Sequence, residues 1–154
     1  MTTRAAADAP SPPEVEARVR ASFARQALMR TLGAELLAVR AGEVAIALPF
    51  RADLTQQGGV LHAAATTAIA DSACGYAALS LMPADREVLS VEFKVNLVAP
   101  AQGERFVATG RVVRAGRTLT VCQADVHAER GGARTLVAVM QATMIGVAAP
   151  TAGG

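Results

Sequence analysis

The chain has 154 residues, a net charge of +2 and an apolar share of 52%, which fits one self-supporting domain and excludes a charged, disordered chain. Aromatic residues make up only 3% and the basic residues, nearly all Arg, are scattered, so neither a basic run nor a set of stacking rings speaks for nucleic acid. Cys74 and Cys122 stand far apart in no metal-type spacing, which reads as two buried thiols in a reducing cytoplasm.

Met1 to Pro10 is Ala-rich, without a continuous apolar stretch, and reads as a mobile segment, not a secretory signal. Ser11-Pro12-Pro13-Glu14 has the form of a helix start, with Ser11 as the cap. Val15, Val19 and Phe23 follow at helical spacing, and Gly33 bounds the helix. From Leu36 the period changes. Val44, Ile46 and Leu48 alternate with smaller or polar residues, and Arg40 to Glu43 reads as the turn of a strand pair that Pro49 ends.

Arg51 to Gly59 is a polar loop. It leads into an apolar run expected to be helical from about Val60 to about Leu81. The run has a membrane-like composition, but Asp71 stands at its middle, which a lipid-facing span rarely tolerates. A helix apolar all round is surrounded by protein. After Arg86 four strands are expected. In the first, Val91, Phe93, Val95 and Leu97 alternate with Ser90, Glu92, Lys94 and Asn96. The others span Phe106 to Val113, Leu119 to Ala128 and Leu136 to Ile145, joined by tight turns at Ala115-Gly116-Arg117 and Gly131-Gly132. Residues 11–147 thus form one α+β domain, with one long helix against an antiparallel sheet, and 148–154 read as a flexible tail.

With only His62 and His127 available, no metal site is expected, and the chain has no nucleophile elbow, phosphate loop or dinucleotide fingerprint. Asp71, among Ala, Ile and Cys, is the conspicuous titratable group. A carboxylate buried there is expected to have a raised pKa and to suit a general base; the other reading is a structural Asp held by Ser72, Thr67 or an Arg. His62 precedes Asp71 by nine residues, half a rotation and roughly 13 Å of rise on one helix. The two could share a site only across a subunit interface. Alone, His62 reads equally as a hydrogen-bonded residue at the helix start. The free N–H groups near Leu61 to Ala64 can face a developing oxyanion, or the preceding Gly58-Gly59 can serve only to turn the chain.

Gly59-Val60-Leu61-His62-Ala63-Ala64, then Ala68-Ile69-Ala70-Asp71-Ser72-Ala73, then Ser90-Val91-Glu92-Phe93-Lys94-Val95-Asn96 together resemble the hotdog-fold thioesterases of the phenylacetate-degradation type, the PaaI-like family. The resemblance covers about Leu36 to Val147. It implies a hotdog fold, a homodimer with interfacial sites often paired into a homotetramer, and hydrolysis of acyl-CoA with no cofactor beyond the CoA of the substrate. It implies that Asp71 activates the attacking water, that the N–H of Ala63 polarises the thioester carbonyl, that His62 helps to place the thioester, and that Ser90 helps to hold the water. Two positions depart from the family. Ala63-Ala64 stands where Gly-Gly is usual, and Gln56 where Asn is frequent.

Arg117 with Thr118, at a strand turn, is a candidate for the CoA phosphates, the alternative being an ordinary solvated turn. A hotdog hydratase or dehydratase, and a non-catalytic acyl-CoA-binding protein, are the competing functions.

Overall fold

The computed structural model describes residues 11–149; the expectations for residues 1–10 and 150–154 lie outside them. Two short helices, α1 (Pro13–Arg25) and α2 (Ala27–Leu32), precede the strands β1 (Glu35–Arg40) and β2 (Glu43–Pro49). The long helix α3 (Ala63–Leu79) follows, and then β3 (Arg86–Leu97), β4 (Arg105–Ala115), β5 (Leu119–Arg130) and β6 (Ala133–Ala148). All six strands pair antiparallel in the order β1-β2-β4-β5-β6-β3, and α3 packs on β2 through β6. This is the hotdog architecture expected from the sequence. No helix among the described residues is long and apolar enough to cross a membrane.

Small side chains set how close α3 comes to the sheet. Ala65, Ala70, Ala73 and Ala77 are buried on it with Ile69. A Cβ added at Gly110 of β4 would stand 2.5 Å from Ala73 O and from Cys74 N. Bare backbone on the strand thus lets the helix backbone approach directly. The far end of α3 is held by Arg18 of α1. Its guanidinium donates to the carbonyls of Leu79, Met82 at 2.9 Å and Pro83 at 2.7 Å, so orphan acceptors at the helix C-terminus gain a cationic partner.

Several boundaries differ from expectation, four of them for a visible physical reason. Pro12, not Ser11, is the N-cap of α1, and the buried Ser11 Oγ has no hydrogen-bond partner among the described residues. The helix expected up to Gly33 breaks at Gln26, whose backbone is extended (φ −73°, ψ 100°) and whose side chain is drawn to Ser72 of α3. The long helix starts at Ala63, not Val60, because His62 caps it: the imidazole Nδ1 accepts from Ala64 N–H at 2.9 Å. The expected tail also starts too early. Ala148 pairs with Arg86 in the sheet, and Ala149 N–H donates to Asp85 O at 2.9 Å.

The alternation expected along β3 fails at one point that matters for the site. A bulge between Ser90 and Glu92 leaves Val91 as the extra residue. Ser90 lies opposite the buried Met144, and Phe93 and Val95 opposite the buried Ala142 and Met140, whereas Glu92 lies opposite Thr143. Opposed residues share a face. Ser90 therefore joins Phe93 and Val95 on the α3 side, and leaves the face of Glu92, Lys94 and Asn96. Bulges re-aim side chains in this way.

Candidate active site

At the middle of α3, Asp71 is half-buried, not sealed in an apolar surround as expected. Its Oδ1 accepts a 2.7 Å hydrogen bond from Ser90 Oγ, the bond that the bulge makes possible. Among the described residues neither Ser72, which pairs with Gln26, nor Thr67 nor an Arg holds it. Beside the pair is a small polar cavity of ≈ 120 Å³, lined also by Gln26, Ser72, Tyr76 and Glu87. Gln26 exchanges hydrogen bonds with Ser72 Oγ, at 3.2 Å from Nε2 and 3.3 Å to Oε1. Neither Gln26 nor Glu87 carries a signal in the sequence. Gln26 sits inside an unbroken helical pattern, and Glu87 is one acid among thirteen.

The other end of the same helix holds a different set of groups. Since His62 Nδ1 accepts, the neutral ring carries its hydrogen on Nε2, an assignment made from the hydrogen-bond geometry. The N–H of Ala63, at the first helical position, has no acceptor among the described residues, as expected for a donor with no intrahelical partner. Ala63 and Gln56 line one groove of ≈ 460 Å³ with Thr66 and the segment Leu97 to Ala101. Gln56 Oε1 accepts from Gly58 N–H, so the free part of its amide is the NH₂ donor. Gly59 takes φ +79°, the conformation that needs a glycine in this turn. His62 faces another recess, ≈ 350 Å³, against Leu28, Leu32 and Leu54.

A third region lies beyond the C-terminal end of α3. Arg117 and Thr118 line a groove of ≈ 320 Å³ with Arg86 and Met82. Thr120 opposes Met144, which opposes Ser90. Two strand spacings, roughly 10 Å, separate Thr120 from Ser90, and the turn lies further off, before Thr120 in the chain. Arg117 and Thr118 share no cavity with Asp71 and Ser90, and stand at the opposite end of α3 from Ala63. Ala63 and Gln56 share one groove and His62 faces the neighbouring recess; both lie apart from Asp71, because Ala63 to Asp71 is about 12 Å of helical rise. Among the described residues, no three His, Cys, Asp or Glu side chains gather as a metal site.

A family model described as "Thioesterase superfamily" matches residues 58–134, half of the chain. The chain belongs to the thioesterase superfamily. This membership makes it a thioester hydrolase, and the match spans α3 with Ala63 and Asp71, together with Ser90 and Arg117. Among solved structures, a thioesterase family protein from Silicibacter pomeroyi is 47% identical with a TM-score of 0.86, over 88% of this chain and 99% of that one. A conserved protein from Pseudomonas aeruginosa is 29% identical with a TM-score of 0.72, over 79% of this chain and 94% of that one. The PaaI protein of the Escherichia coli phenylacetic acid degradation operon shares the fold at 15% identity, with a TM-score of 0.76, over 87% of this chain and 94% of its own.

Proposed function

We propose that this thioesterase hydrolyses an acyl-CoA to the free acid and CoA, in a site that two copies of the chain build together. The observation that carries the reading is the split along α3. A carboxylate ordered by a hydroxyl lies at Asp71–Ser90, and an uncommitted N–H lies about 12 Å away at Ala63. Water attack needs both on one carbonyl. A two-fold axis that sets one copy's Asp71 beside its partner's helix start supplies both, and supplies them twice.

The edge of the sheet supports such pairing. β3 is the last strand in the order. It exposes Leu89, Val91, Phe93 and Leu97, each more than two-fifths accessible. A long apolar edge strand is a template for a second strand.

In this reading Asp71 takes a proton from water as that water attacks the thioester carbon. Ser90 Oγ holds the carboxylate's other rotamers off. The N–H of Ala63 stabilises the oxyanion, and the Nε2–H of His62 and the amide NH₂ of Gln56 are donors for placing the thioester. Arg117, Thr118 and Arg86 meet the CoA phosphates; among the described residues the ion-pair partner of Arg86 is Asp85, at 3.9 Å.

The test is thiol release from a panel of aryl and straight-chain acyl-CoAs. Native protein turns over, and folded Asp71→Asn loses about 10²- to 10⁴-fold in kcat, the worth of a general base. Binding without thiol release across the panel would instead make the chain an acyl-CoA-binding protein, with the methyl groups of Ala63 and Ala64 as the first cause to examine.

A further inference from the structure

The polar cavity at Asp71 does not end there. A wide-open surface depression, ≈ 340 Å³, shares Ser22, Gln26, Tyr76 and Glu87 with it. Its mouth is the ion pair of Arg25 and Glu87, at 3.6 Å with the side chains 66% and 37% exposed. Going inward, Ser22 Oγ and Tyr76 OH stand 3.5 Å apart, then Gln26 and Ser72 exchange hydrogen bonds, then Ser90 and Asp71 pair. Every step from solvent to the carboxylate thus offers a hydroxyl, an amide or a carboxylate. Such a lining suits water, which needs two to four polar partners. The path opens beside α1, at Ser22 and Arg25, and shares no residue with the groove of Gln56 and Ala63, the groove that the partner copy brings to Asp71 in the two-copy reading.

We infer that this cavity and the depression outside it are a back entrance through which water reaches Asp71 and a proton leaves it, while the acyl-CoA occupies the front. This rests on the proposed role of Asp71. Hydrolysis needs such traffic by its balance. Water's oxygen bonds to the acyl carbon and the C–S bond breaks; one water proton goes to Asp71 and from it to the departing thiolate, while the other stays on the product acid. When that acid ionises beside Asp71, the carboxylate takes its proton and passes it outward, so each turnover consumes one water and sheds one proton. With an acyl-CoA filling the front, neither can pass there. Glu87 is the positioning residue at the outer end, where a carboxylate can pass the proton to solvent. The break at Gln26 keeps the passage polar, because an unbroken helix would not turn this amide toward Ser72.

The experiment measures kcat and KM by thiol release for the native protein, Glu87→Gln, Glu87→Asp, Ser22→Leu and Asp71→Asn. Glu87→Gln is expected to lose about tenfold in kcat, the lower range of what a proton-transfer group supplies, with KM unchanged. Glu87→Asp, or added imidazole as a soluble proton carrier, restores it. Ser22→Leu narrows the passage and lowers kcat without changing KM. Native kcat in both Glu87→Gln and Ser22→Leu overturns the inference. So does a loss in Glu87→Gln that neither Asp nor imidazole restores, since that marks a purely structural pairing with Arg25. Asp71→Asn separates the two levels: if it turns over like the native chain, the reading of the site has failed; if it is inactive while the other variants are native-like, only the back entrance has failed.

Discussion

Gly110→Ala tests how the fold sets the chemistry. The added Cβ would lie 2.5 Å from Ala73 O and Cys74 N, where ordinary contact begins at 3.4 Å. The neighbours are helix backbone, so no side chain can swing aside. Strand and helix must part by about 0.9 Å, and overpacking of this kind costs about 1–3 kcal/mol. The upper end applies here, because α3 also packs on the other strands and moves as a unit. Asp71 is two residues from Ala73. If α3 shifts by that amount, the 2.7 Å bond from Ser90 lengthens to about 3.6 Å, past hydrogen-bond range. A misplacement of about 1 Å costs roughly a hundredfold in rate. The expected result is a loss of about 3 kcal/mol in urea unfolding at fixed protein concentration, together with a hundredfold lower kcat in the protein that stays folded. A stability within about 0.5 kcal/mol of native, the range of a neutral surface change, with native kcat, would refute the close-approach argument.

Four further outcomes follow from single residues. Ser90→Ala removes one hydrogen bond to a charged group, worth about 1.5–3 kcal/mol, so kcat should fall roughly ten- to a hundredfold at unchanged KM in steady-state thiol-release assays. Burial pushes the thiol of Cys122 up to about 12, and burial, then the neighbouring Cys122 and Asp71, push that of Cys74 higher still. The native thiols should resist a disulfide reagent that the unfolded chain consumes at once. The same shifts make stability fall with rising pH. Above the ordinary thiol value of 9.0 the unfolded chain sheds protons that the folded chain keeps, so unfolding free energy should drop from there toward pH 12. Phe93→Glu puts a charge on the exposed edge strand. It should yield a monomer in sedimentation velocity and abolish turnover, and an active monomer would end the two-copy reading.

The architecture was legible because its signals are local. Alternation at Val44, Ile46 and Leu48, the Gly131-Gly132 turn and the apolar run about Asp71 each fixed an element within a few residues. What escaped was set by contacts distant in sequence. Gln26 is a good helix former with no Gly or Pro beside it, and only its bond to Ser72, 46 positions away, ends α1. His62 is outside the residues that usually cap helices, so the sequence pattern starts the helix three residues early. The bulge at Val91 was invisible because an extra Val on an exposed edge leaves the apolar alternation intact. The resemblance to the family therefore points to Ser90, while its own strand pattern places it on the outer face.

The helix start allows the oxyanion assignment to be tested apart from the carboxylate. Ala63 stands where Gly is usual in the family, yet the backbone does not demand Gly: among the described residues no non-Gly residue has positive φ. The donor in question is an N–H at the first helical position, where proline is favoured because no intrahelical bond is lost. His62, the residue before it, already has φ −65° and ψ 139°, inside the region that a following proline imposes. Ala63→Pro therefore deletes the N–H while fitting the chain, and the cap from His62 to Ala64 N–H remains. If this N–H meets the oxyanion, kcat should fall about 10²- to 10³-fold, the cost of one such donor, with urea unfolding unchanged. Ala63→Gly keeps the donor and removes the methyl group, so it should retain turnover and serve as the control for altered shape in the groove. A proline variant with native kcat would move the oxyanion to another donor, and the amide NH₂ of Gln56, in the same groove, would be the next to remove.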